Sequence, residues 1–318
     1  MAILLSVVIC TFNRAQFLQS ALESICNQTI SENAYEIIVI DNMSTDQTEE
    51  VVASYKRDHS NVRYFFEQRI GLSNARNRGW KVSKGVYVGY IDDDSKVPEN
   101  WVFIAQKVIN SYKPDVFGGP IFPFYNAKKP VWYKDEYGTL CEGSIQRELN
   151  ENEYLCGSNL IIRKELLHLI NGFSSDFGMS GKKMAYGEET ELIIRLRKNV
   201  PNVKIFYKPE LFVKHIVRNK GMKFSWLFKQ RFIQGRYGYL SFSGRKHKIS
   251  IRYLVGFLGI PFIIFYEFTI GIITRDRNKY PLFQNYIYER ILHLVRIWGK
   301  LYERLFRTIL EVGKINKA

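Results

Sequence analysis

The sequence has 318 residues, enough for one large core or for a core with an appendage. Its net charge is +15, and 20 tyrosines with 22 phenylalanines supply bulky apolar side chains, which excludes a disordered or low-complexity chain. The positive charge predicts an anionic partner, which is nucleic acid, an acidic membrane surface or substrate phosphate. Arginine and lysine crowd the last third, and no zinc-finger spacing, basic zipper or aromatic–basic sheet motif is present. We therefore expect no nucleic acid and favour an acidic membrane surface.

The cysteines indicate a reducing compartment. The four of them (Cys10, Cys26, Cys141 and Cys156) form no CxxC pair and show no partnered histidine spacing. Cys10 lies in an apolar run and is expected to be a core residue rather than a ligand. The run from Ile3 to Cys10 lacks the basic start and cleavage site of a signal peptide. These features predict a cytoplasmic location.

Over the first 120 residues, continuous apolar runs alternate with segments whose apolar residues recur at helical spacing. Apolar runs predict buried strands at Leu4–Cys10, Glu36–Ile40, Val62–Phe66 and Val86–Ile91. Helical spacing predicts helices at Arg14–Asn27, Thr48–Asp58 and Leu72–Ser83. This alternation is typical of an α/β fold whose mostly parallel sheet is flanked by helices. Ligands bind such sheets at the carboxyl ends of the strands, and polar clusters follow three strands here: Thr11–Asn13, Asp41–Asn42 and Asp92–Asp94.

The alternation is lost from Pro120 to Glu153, where we expect a loop-rich insertion. Regular structure is predicted again at Tyr154–Arg163, followed by a stretch rich in glycine and serine from Asn171 to Gly187. Later elements are a helix at Glu188–Lys198 and two short strands at Lys204–Tyr207 and Leu211–His215.

The segment Tyr253–Thr274 is apolar over about the length that crosses a membrane, with Glu267 as its single charge. Basic residues flank both ends: Arg245, Lys246, Lys248 and Arg252 before it, and Arg275, Arg277 and Lys279 after it. Because positive flanks tend to stay in the cytoplasm, a shallow hairpin bent at Pro261 is favoured over a true span. A buried core helix is the alternative.

Residues 282–312 predict a basic amphipathic helix. Its apolar positions are Ile287, Ile291, Leu294, Trp298, Leu301, Leu305 and Ile309, with basic residues largely between them at Arg290, Arg296, Lys300, Arg304 and Arg307. Such a helix either lies on a membrane surface or packs against the rest of the protein. Its position after an apolar segment favours the membrane.

Three adjacent carboxylates, Asp92, Asp93 and Asp94, follow the predicted strand Val86–Ile91. Like charges this close favour a bound cation, and oxygen ligands suit Mg²⁺ or Mn²⁺. A solvated acidic turn is the alternative. A metal here would neutralise a diphosphate leaving group.

Two further segments are candidates for nucleotide binding. Asp41 ends the second strand and has the chemistry to accept the ring N–H of a base, although a turn or cap role is equally consistent. The helix opening Gly71–Gly79 presents Arg76 and Arg78, which pair well with phosphate oxygens. A solvated basic helix is the alternative.

A second carboxylate pair, Glu188 and Glu189, begins the predicted helix after Gly187. Acidic residues in a first turn stabilise the helix dipole, and the same dipole is expected to keep Glu189 ionised as a base toward an acceptor hydroxyl. The preceding segment, Gly178–Lys183, is a candidate lid. His215 at the last strand is a structural residue or completes a metal or diphosphate site.

In their order and spacing these motifs resemble family 2 glycosyltransferases of the GT-A (Rossmann-like) fold. The resemblance covers roughly residues 3 to 220 and rests on a series of matching segments: Val7–Arg14, Val39–Asp46, Gly71–Gly79, Ile91–Asp94, Gly157–Asn159, Gly172–Phe173, Gly187–Glu189 and His215. It implies an inverting transferase with a nucleotide-diphospho-sugar donor, a glycan or lipid-linked acceptor, and Mn²⁺ or Mg²⁺. Synthesis of a cell-surface polysaccharide or a lipid-linked glycan, on the cytoplasmic side of the membrane, is the expected context.

The resemblance also implies roles for individual residues. Thr11, Asn13, Asp41, Arg76, Asp92 and Asp93 would bind the nucleotide; Asp94, Asp92 and His215 would bind the metal; and Gly157, Ser158 and Asn159 would line the region of the donor sugar and acceptor. The family usually has a Glu-Asp pair with the second member as base. Here that member is Glu189, a departure that keeps Glu188 as a lesser candidate.

The expected organisation is a catalytic domain over 1–220 and a helical C-terminal region over 221–318. Within the first, 1–120 would form the nucleotide-binding half and 121–220 the acceptor-binding half. Two other functions remain open. A sugar nucleotidyltransferase should carry a glycine-rich, lysine-containing loop after the first strand, where this chain has Thr11–Arg14. A non-catalytic nucleotide-binding or membrane-surface protein would not account for the carboxylate clusters.

Overall fold

The computed structural model describes residues 3–181, 183–242 and 251–315 of the chain. These residues form two compact units. The first comprises Met1–Asn126, Asp135–Lys183 and Glu188–Val217, and the second comprises Ala127–Lys134, Met184–Gly187 and Arg218–Ala318.

The first unit contains all the described strands and the first six helices. The strands are β1 Leu5–Thr11, β2 Tyr35–Asp41, β3 Val62–Phe66, β4 Tyr87–Asp92, β5 Ser95–Lys96, β6 Val116–Gly118, β7 Ile121–Phe124, β8 Arg147–Glu148, β9 Leu160–Arg163, β10 Ile205–Tyr207 and β11 Val213–Ile216. The helices are α1 Ala15–Cys26, α2 Thr48–Asp58, α3 Leu72–Val82, α4 Trp101–Tyr112, α5 Lys164–Leu169 and α6 Glu188–Asn199. The strands and helices predicted over the first 120 residues are confirmed to within a few residues.

Eight strands form the main sheet in the order β3-β2-β1-β4-β9-β6-β10-β8. β1 to β4 are parallel, and β9 runs antiparallel between β4 and β6. The register pairs Thr11 with Asp41 and Cys10 with Asp92, so the polar ends of β1, β2 and β4 meet at one edge. The predicted meeting of these clusters at the carboxyl ends of the strands is therefore confirmed.

Helices cover both faces of this sheet, as near-continuous apolar strands require. On one face Val7 and Ile9 pack with Leu22 of α1 and Trp101 of α4. On the other face Val8 packs with Trp80 of α3, with further contacts from α5 and α6. Consecutive residues of β1 therefore belong to opposite cores, which is the alternation expected of a strand.

A smaller sheet, β5-β11-β7, carries the last strand. β11 is parallel to β7 and antiparallel to β5, with His215 paired to Ser95. The Ile216 N–H donates to the carbonyl oxygen of Asp94 at 3.1 Å. This pairing brings the C-terminal strand against the acidic cluster that follows β4.

The second unit is helical, with α7 Phe224–Phe242, α8 Ile251–Thr274, α9 Phe283–Tyr286 and α10 Leu292–Ile315. A π-helical turn over Ile287–Ile291 joins α9 to α10. The short segment 127–134 also belongs to this unit. There Trp132 stacks on Phe224 at 4.7 Å between ring centroids and accepts a hydrogen bond from Asn285 Nδ2 at 2.6 Å.

The hairpin predicted for the tail is wrong, and so is its alternative, a buried core helix. Tyr253–Thr274 forms part of one continuous helix, α8, rather than a hairpin, because Pro261 is accommodated inside it. Most of its large apolar side chains are exposed, which also excludes a buried core helix. Of the flanking basic residues, Arg245, Lys246 and Lys248 lie outside the described residues.

The predicted amphipathic helix packs differently from the membrane-surface expectation. Its apolar side contacts other helices of the unit: Ile291 has no exposed surface, and Val295 and Leu305 are also buried. The side chains of Arg307 and Ile309 lie outside the described residues. In the part of the chain that the structure describes, α8 is the helix long and apolar enough to cross a membrane.

Candidate active site

The end of β4 and the end of β11 bring together Asp92, Asp94 and His215. One ligand atom from each lies within 4.8 Å of the others. His215 Nε2 is 3.1 Å from Asp94 Oδ1 and 3.7 Å from Asp92 Oδ2. The spacing is set by the strands, since His215 pairs with Ser95, the residue after Asp94.

The chemistry of this donor set fits a divalent cation. Two carboxylates supply hard oxygen ligands, and the imidazole adds a nitrogen that Mn²⁺ accepts. The side chain of Asp94 is buried whereas those of Asp92 and His215 are about one third exposed, so the cluster is open on one side. An open side leaves positions for water or a substrate oxygen.

Arg14 is a member of this cluster to which the sequence analysis gave no role. Its Nη1 donates to Asp93 Oδ1 at 2.9 Å and lies 3.5 Å from Asp94 Oδ2. Burial raises the pKa of Asp93 to about 6, and the Arg14 guanidinium opposes that rise. Arg14 directly follows the polar end of β1. That position is the feature of the sequence from which its place in the site could have been predicted.

Arg76 lies between the acidic cluster and the second carboxylate pair. Its side chain is 4% exposed, its Nη1 donates to Glu188 Oε1 at 2.9 Å, and its Nη2 is 3.4 Å from Asp92 Oδ1. Burial alone would lower the pKa of Arg76, but the carboxylates of Glu188 and Asp92 raise it overall. The family resemblance implies that Arg76 contacts the nucleotide; in the structure its partners are two carboxylates of the protein.

A glycine makes room for this guanidinium. A Cβ atom at Gly157 would lie 2.5 Å from Nη2 of Arg76 and 2.7 Å from Nη1. The ring of Phe173 lies on the other side, with its centroid 5.4 Å from the guanidinium carbon. A side chain larger than that of Gly157 would therefore require the Arg76 guanidinium to move.

Glu189 differs from the other carboxylates of this site in its contacts. Its Oε2 is buried and has no hydrogen-bond partner among the described residues. Burial raises the pKa of Glu189 to about 8, with a further contribution from the neighbouring charge of Glu188. The helix dipole was expected to keep Glu189 ionised. Desolvation outweighs the dipole here because Arg76 forms its direct ion pair with Glu188.

The residues predicted to bind the nucleotide base form hydrogen bonds with neighbouring loops at the edge of the sheet. Asp41 Oδ1 accepts from the Ser44 N–H and Oδ2 from the Tyr64 hydroxyl, each at 2.8 Å. Asn13, with a φ of 53°, accepts from the Thr45 N–H at 2.7 Å through its side-chain oxygen. Thr11 is buried beside them at the end of β1. These contacts tie the loops after β1 and β2 together.

The turn Gly157–Asn159, predicted to line the region of the donor sugar and acceptor, is buried. Asn159 has no exposed surface; its Nδ2 donates to the Leu211 carbonyl at 2.6 Å, and its Oδ1 accepts from Trp101 Nε1 at 3.3 Å. Ser158 is also buried. Gly157 also lies against the guanidinium of Arg76.

The candidate lid is attached to the start of α3. The Leu72 N–H donates to the Met179 carbonyl at 2.8 Å, and Ser73 Oγ donates to the Phe177 carbonyl at 2.8 Å. Gly178 adopts a φ of 85°, and a Cβ there would lie 3.0 Å from Ser73 Oγ. Lys182, part of the predicted lid, lies outside the described residues.

Comparison with known proteins places this site in a family. The sequence profile described as glycosyl transferase family 2 matches residues 6–170. A glucosyl-dolichyl phosphate glucuronosyltransferase of Haloferax volcanii is 23% identical over 239 residues, covering 72% of this chain and 74% of the relative. A GalNAc(5)-diNAcBac-PP-undecaprenol beta-1,3-glucosyltransferase of Campylobacter jejuni is 34% identical over 116 residues, 36% of this chain and 37% of its own length.

A solved structure extends the match to the whole chain. The mannosyltransferase PcManGT from Pyrobaculum calidifontis, in complex with GDP-Man and Mn²⁺, superposes with a TM-score of 0.59 at 14% identity. The superposition covers 96% of this chain and 87% of that one. At this identity the match establishes the fold. The chain belongs to glycosyl transferase family 2 and has the GT-A glycosyltransferase fold.

Proposed function

We propose that this protein moves a sugar from a nucleotide-diphosphate donor to an acceptor hydroxyl with inversion at the anomeric carbon. The observation that carries the proposal is one ion-pair chain. Arg76 contacts Asp92 of the Asp92–Asp94–His215 cluster on one side and Glu188 of the glutamate pair on the other. Arg76 thereby links the candidate metal site to the helix that carries the candidate catalytic base, Glu189.

At the donor end, Asp92, Asp94 and His215 would hold Mn²⁺ or Mg²⁺. When bound, the cation supplies positive charge that stabilises the departing diphosphate. Arg14, which is only partly buried, adds a second cationic group beside the same carboxylates. Thr11, Asn13, Asp41 and Asp93 form the edge assigned to the nucleotide, with the loop contacts of Asn13 and Asp41 fixing its shape.

At the acceptor end, Glu189 takes the proton from the attacking hydroxyl. Its raised pKa matches that task, since a base is most effective when its pKa lies near the working pH. Glu188 serves as the counter-ion that locates Arg76. Attack from the side opposite the diphosphate is a single displacement, so the configuration of the transferred sugar inverts.

The names of two relatives support a lipid-linked acceptor. One acts on glucosyl-dolichyl phosphate and the other on a saccharide attached through PP-undecaprenol. The helix α8 exposes large apolar side chains, among them Phe262, Phe265 and Ile273, which suit contact with a bilayer. We assign the protein to the cytoplasmic membrane surface, with a saccharide on a polyprenyl carrier as its acceptor.

The proposal is tested with the purified protein and a panel of UDP-, dTDP- and GDP-sugars in Mn²⁺ or Mg²⁺. Slow metal-dependent release of nucleotide diphosphate from one donor is expected, together with its loss in Asp94→Ala. Asp58→Ala, an exposed aspartate at the end of α2, is the matched control and should retain full activity. Absence of donor binding by calorimetry with either metal would contradict the proposal, and this readout does not require the acceptor.

A further inference from the structure

A crevice of about 540 Å³ lies among α7, α8 and α10 of the second unit. Its walls include Phe232 and Ile233 of α7, Ile264 of α8, and Val295 and Trp298 of α10. Lys229 of α7 is the one charged residue lining it. The volume falls within the range of small-molecule sites, and the lining is that of a site for a largely apolar ligand.

At the crevice, α7, α8 and α10 are less closely packed than helices in a closed interface. Elsewhere α7 and α10 meet closely, with Gly235 against the Arg296 backbone and Gly299 against the Phe232 backbone. Protein interiors leave few voids larger than a water molecule. The Nε1 atom of Trp298, a wall residue, is also buried without a hydrogen-bond partner among the described residues. The crevice therefore lies beside a closely packed contact between α7 and α10.

The charge at the crevice is positive. Lys229 is exposed, so it lies where the lining meets solvent, and no described carboxylate forms an ion pair with it. An apolar slot with one cation at its margin is complementary to an amphiphile with one hydrocarbon chain and an anionic head.

The crevice adjoins the apolar exterior of α8. Pro261 and Ile264 line it, whereas their sequence neighbours Phe262 and Phe265 are 76% and 70% exposed. One helix thus contributes both to the wall of the crevice and to the surface assigned to the bilayer. A chain in the bilayer would have a route into the crevice without crossing water.

We propose that this crevice binds the isoprenoid chain of a polyprenyl phosphate, with the Lys229 ammonium pairing with the phosphate. The inference rests on the lipid-linked acceptor of the proposed function and adds a binding site on the second unit. It needs no contact with the candidate active site, so the two can be tested apart.

The test measures equilibrium binding of radiolabelled geranylgeranyl phosphate to the full chain in detergent micelles. Val295→Phe fills the crevice from a buried position and should weaken binding about tenfold or more. Val255→Phe adds the same bulk at a position of α8 that is 63% exposed and should leave binding unchanged. Lys229→Gln should weaken binding of the phosphate by roughly three- to tenfold without affecting geranylgeraniol, as loss of one partly solvated ion pair predicts.

Three results would overturn the proposal: equal binding by folded Val295→Phe and the parent protein, equal affinity for alcohol and phosphate, or displacement by phosphatidylglycerol at equal concentration. If Val295→Phe does not fold by circular dichroism, Ile264→Trp fills the crevice from a partly exposed position and decides the same point. Donor binding is measured in the same samples. If the parent protein binds the donor but not geranylgeranyl phosphate, only the proposed lipid site is rejected. If the parent protein does not bind the donor, the proposed function is rejected.

Discussion

Among individual residues, Arg76 and Glu189 differ most from what their sequence context predicted. Both are polar residues near the starts of helices, where exposure and solvation are the ordinary outcome. The fold buries Arg76 against Glu188 and leaves Oε2 of Glu189 without a hydrogen-bond partner among the described residues. The ion pair with Arg76 thereby makes Glu188 a counter-ion and leaves Glu189 as the candidate base.

Replacement of Glu189 tests its role as base. Glu189→Gln keeps the shape of the side chain but removes the proton acceptor, so transfer should fall by about 10²–10⁴. Binding of the nucleotide-sugar should remain, because the base is needed only for the acceptor. The comparison is with Glu191→Gln, which removes a carboxylate paired with Arg195 in the same helix. Equal rates in these two variants, measured with saturating acceptor, would exclude Glu189 as the base.

The pH dependence follows from the same group. The pKa of Glu189 is raised to about 8 by burial, so the carboxyl is largely protonated at neutral pH. A base must be deprotonated, and kcat/KM should therefore rise as the pH approaches 8 and fall about tenfold for each unit below it. The contribution of this carboxyl to stability changes with pH in the opposite direction to activity. Because the folded state binds the proton more tightly than the unfolded state, the contribution is present at low pH and is lost as the pH rises through about 8. A profile that is flat between about pH 6 and pH 9 would contradict the assignment.

Gly157 gives a separate test of Arg76 as a positioning residue. Gly157→Ala places a methyl group 2.5 Å from the guanidinium and should displace it from Glu188 and Asp92. We expect a loss of activity of about tenfold to a hundredfold with little change in melting temperature, because a small misplacement of a catalytic group is costly. The pH profile should also shift, since Arg76 opposes the raised pKa of Glu189. Gly221→Ala, where an added Cβ has no neighbour within 4 Å, is the control.

At the scale of elements, close approach determines which helices pack together. α7 and α10 cross where Gly235 and Gly299 allow backbone to meet backbone, with a carbonyl of the other helix directly at each site. The contact with α7 covers part of the apolar side of α10, where Val295 is buried. A basic amphipathic sequence alone does not distinguish this packing from a membrane-surface helix, because both bury the same stripe.

Gly299→Ala should therefore destabilise the second unit. The new methyl group collides with the carbonyl of Phe232, and overpacking of this kind costs about 1–3 kcal/mol. Gly238→Ala in α7 has open space around the added Cβ and should be neutral or slightly stabilising, because alanine is the better helix former. Urea unfolding followed at the tryptophans measures the difference. Equal midpoints would show that the helices can separate at no cost.

For the molecule as a whole, its apolar exterior and its positive charge have separate sources. Under the proposed membrane association, the net charge of +15 would attract the chain to anionic surfaces, and α8 would supply the exposed apolar area for insertion. Association of this kind combines a salt-dependent step with a salt-independent one.

Vesicle flotation separates the two contributions. Phe262→Glu combined with Phe265→Glu removes two exposed aromatic side chains, each worth about 1.5–3 kcal/mol on burial, so binding should fall by about a hundredfold or more. Val131→Glu, at a 93% exposed position outside α8, is the control for adding negative charge. If the double variant floats as well as the parent protein at high salt, α8 is not the inserting element.

The sequence by itself determined β1 to β4, α1 to α3 and the edge at which the chemistry gathers, whereas α4, β6, β7 and β8 were not predicted. Period and residue type are local properties, and parallel strands share one carboxyl edge, so Thr11, Asp41 and Asp92 were placed together without coordinates. Only the tertiary structure decided the rest. The 3.1 Å approach of His215 to Asp94 depends on pairing between strands more than a hundred residues apart. The raised pKa of Glu189 depends on which glutamate Arg76 contacts, and the burial of α10 depends on two glycines that admit a neighbouring backbone. Desolvation, long-range pairing and close packing are set by residues distant in the chain, and no local pattern encodes them.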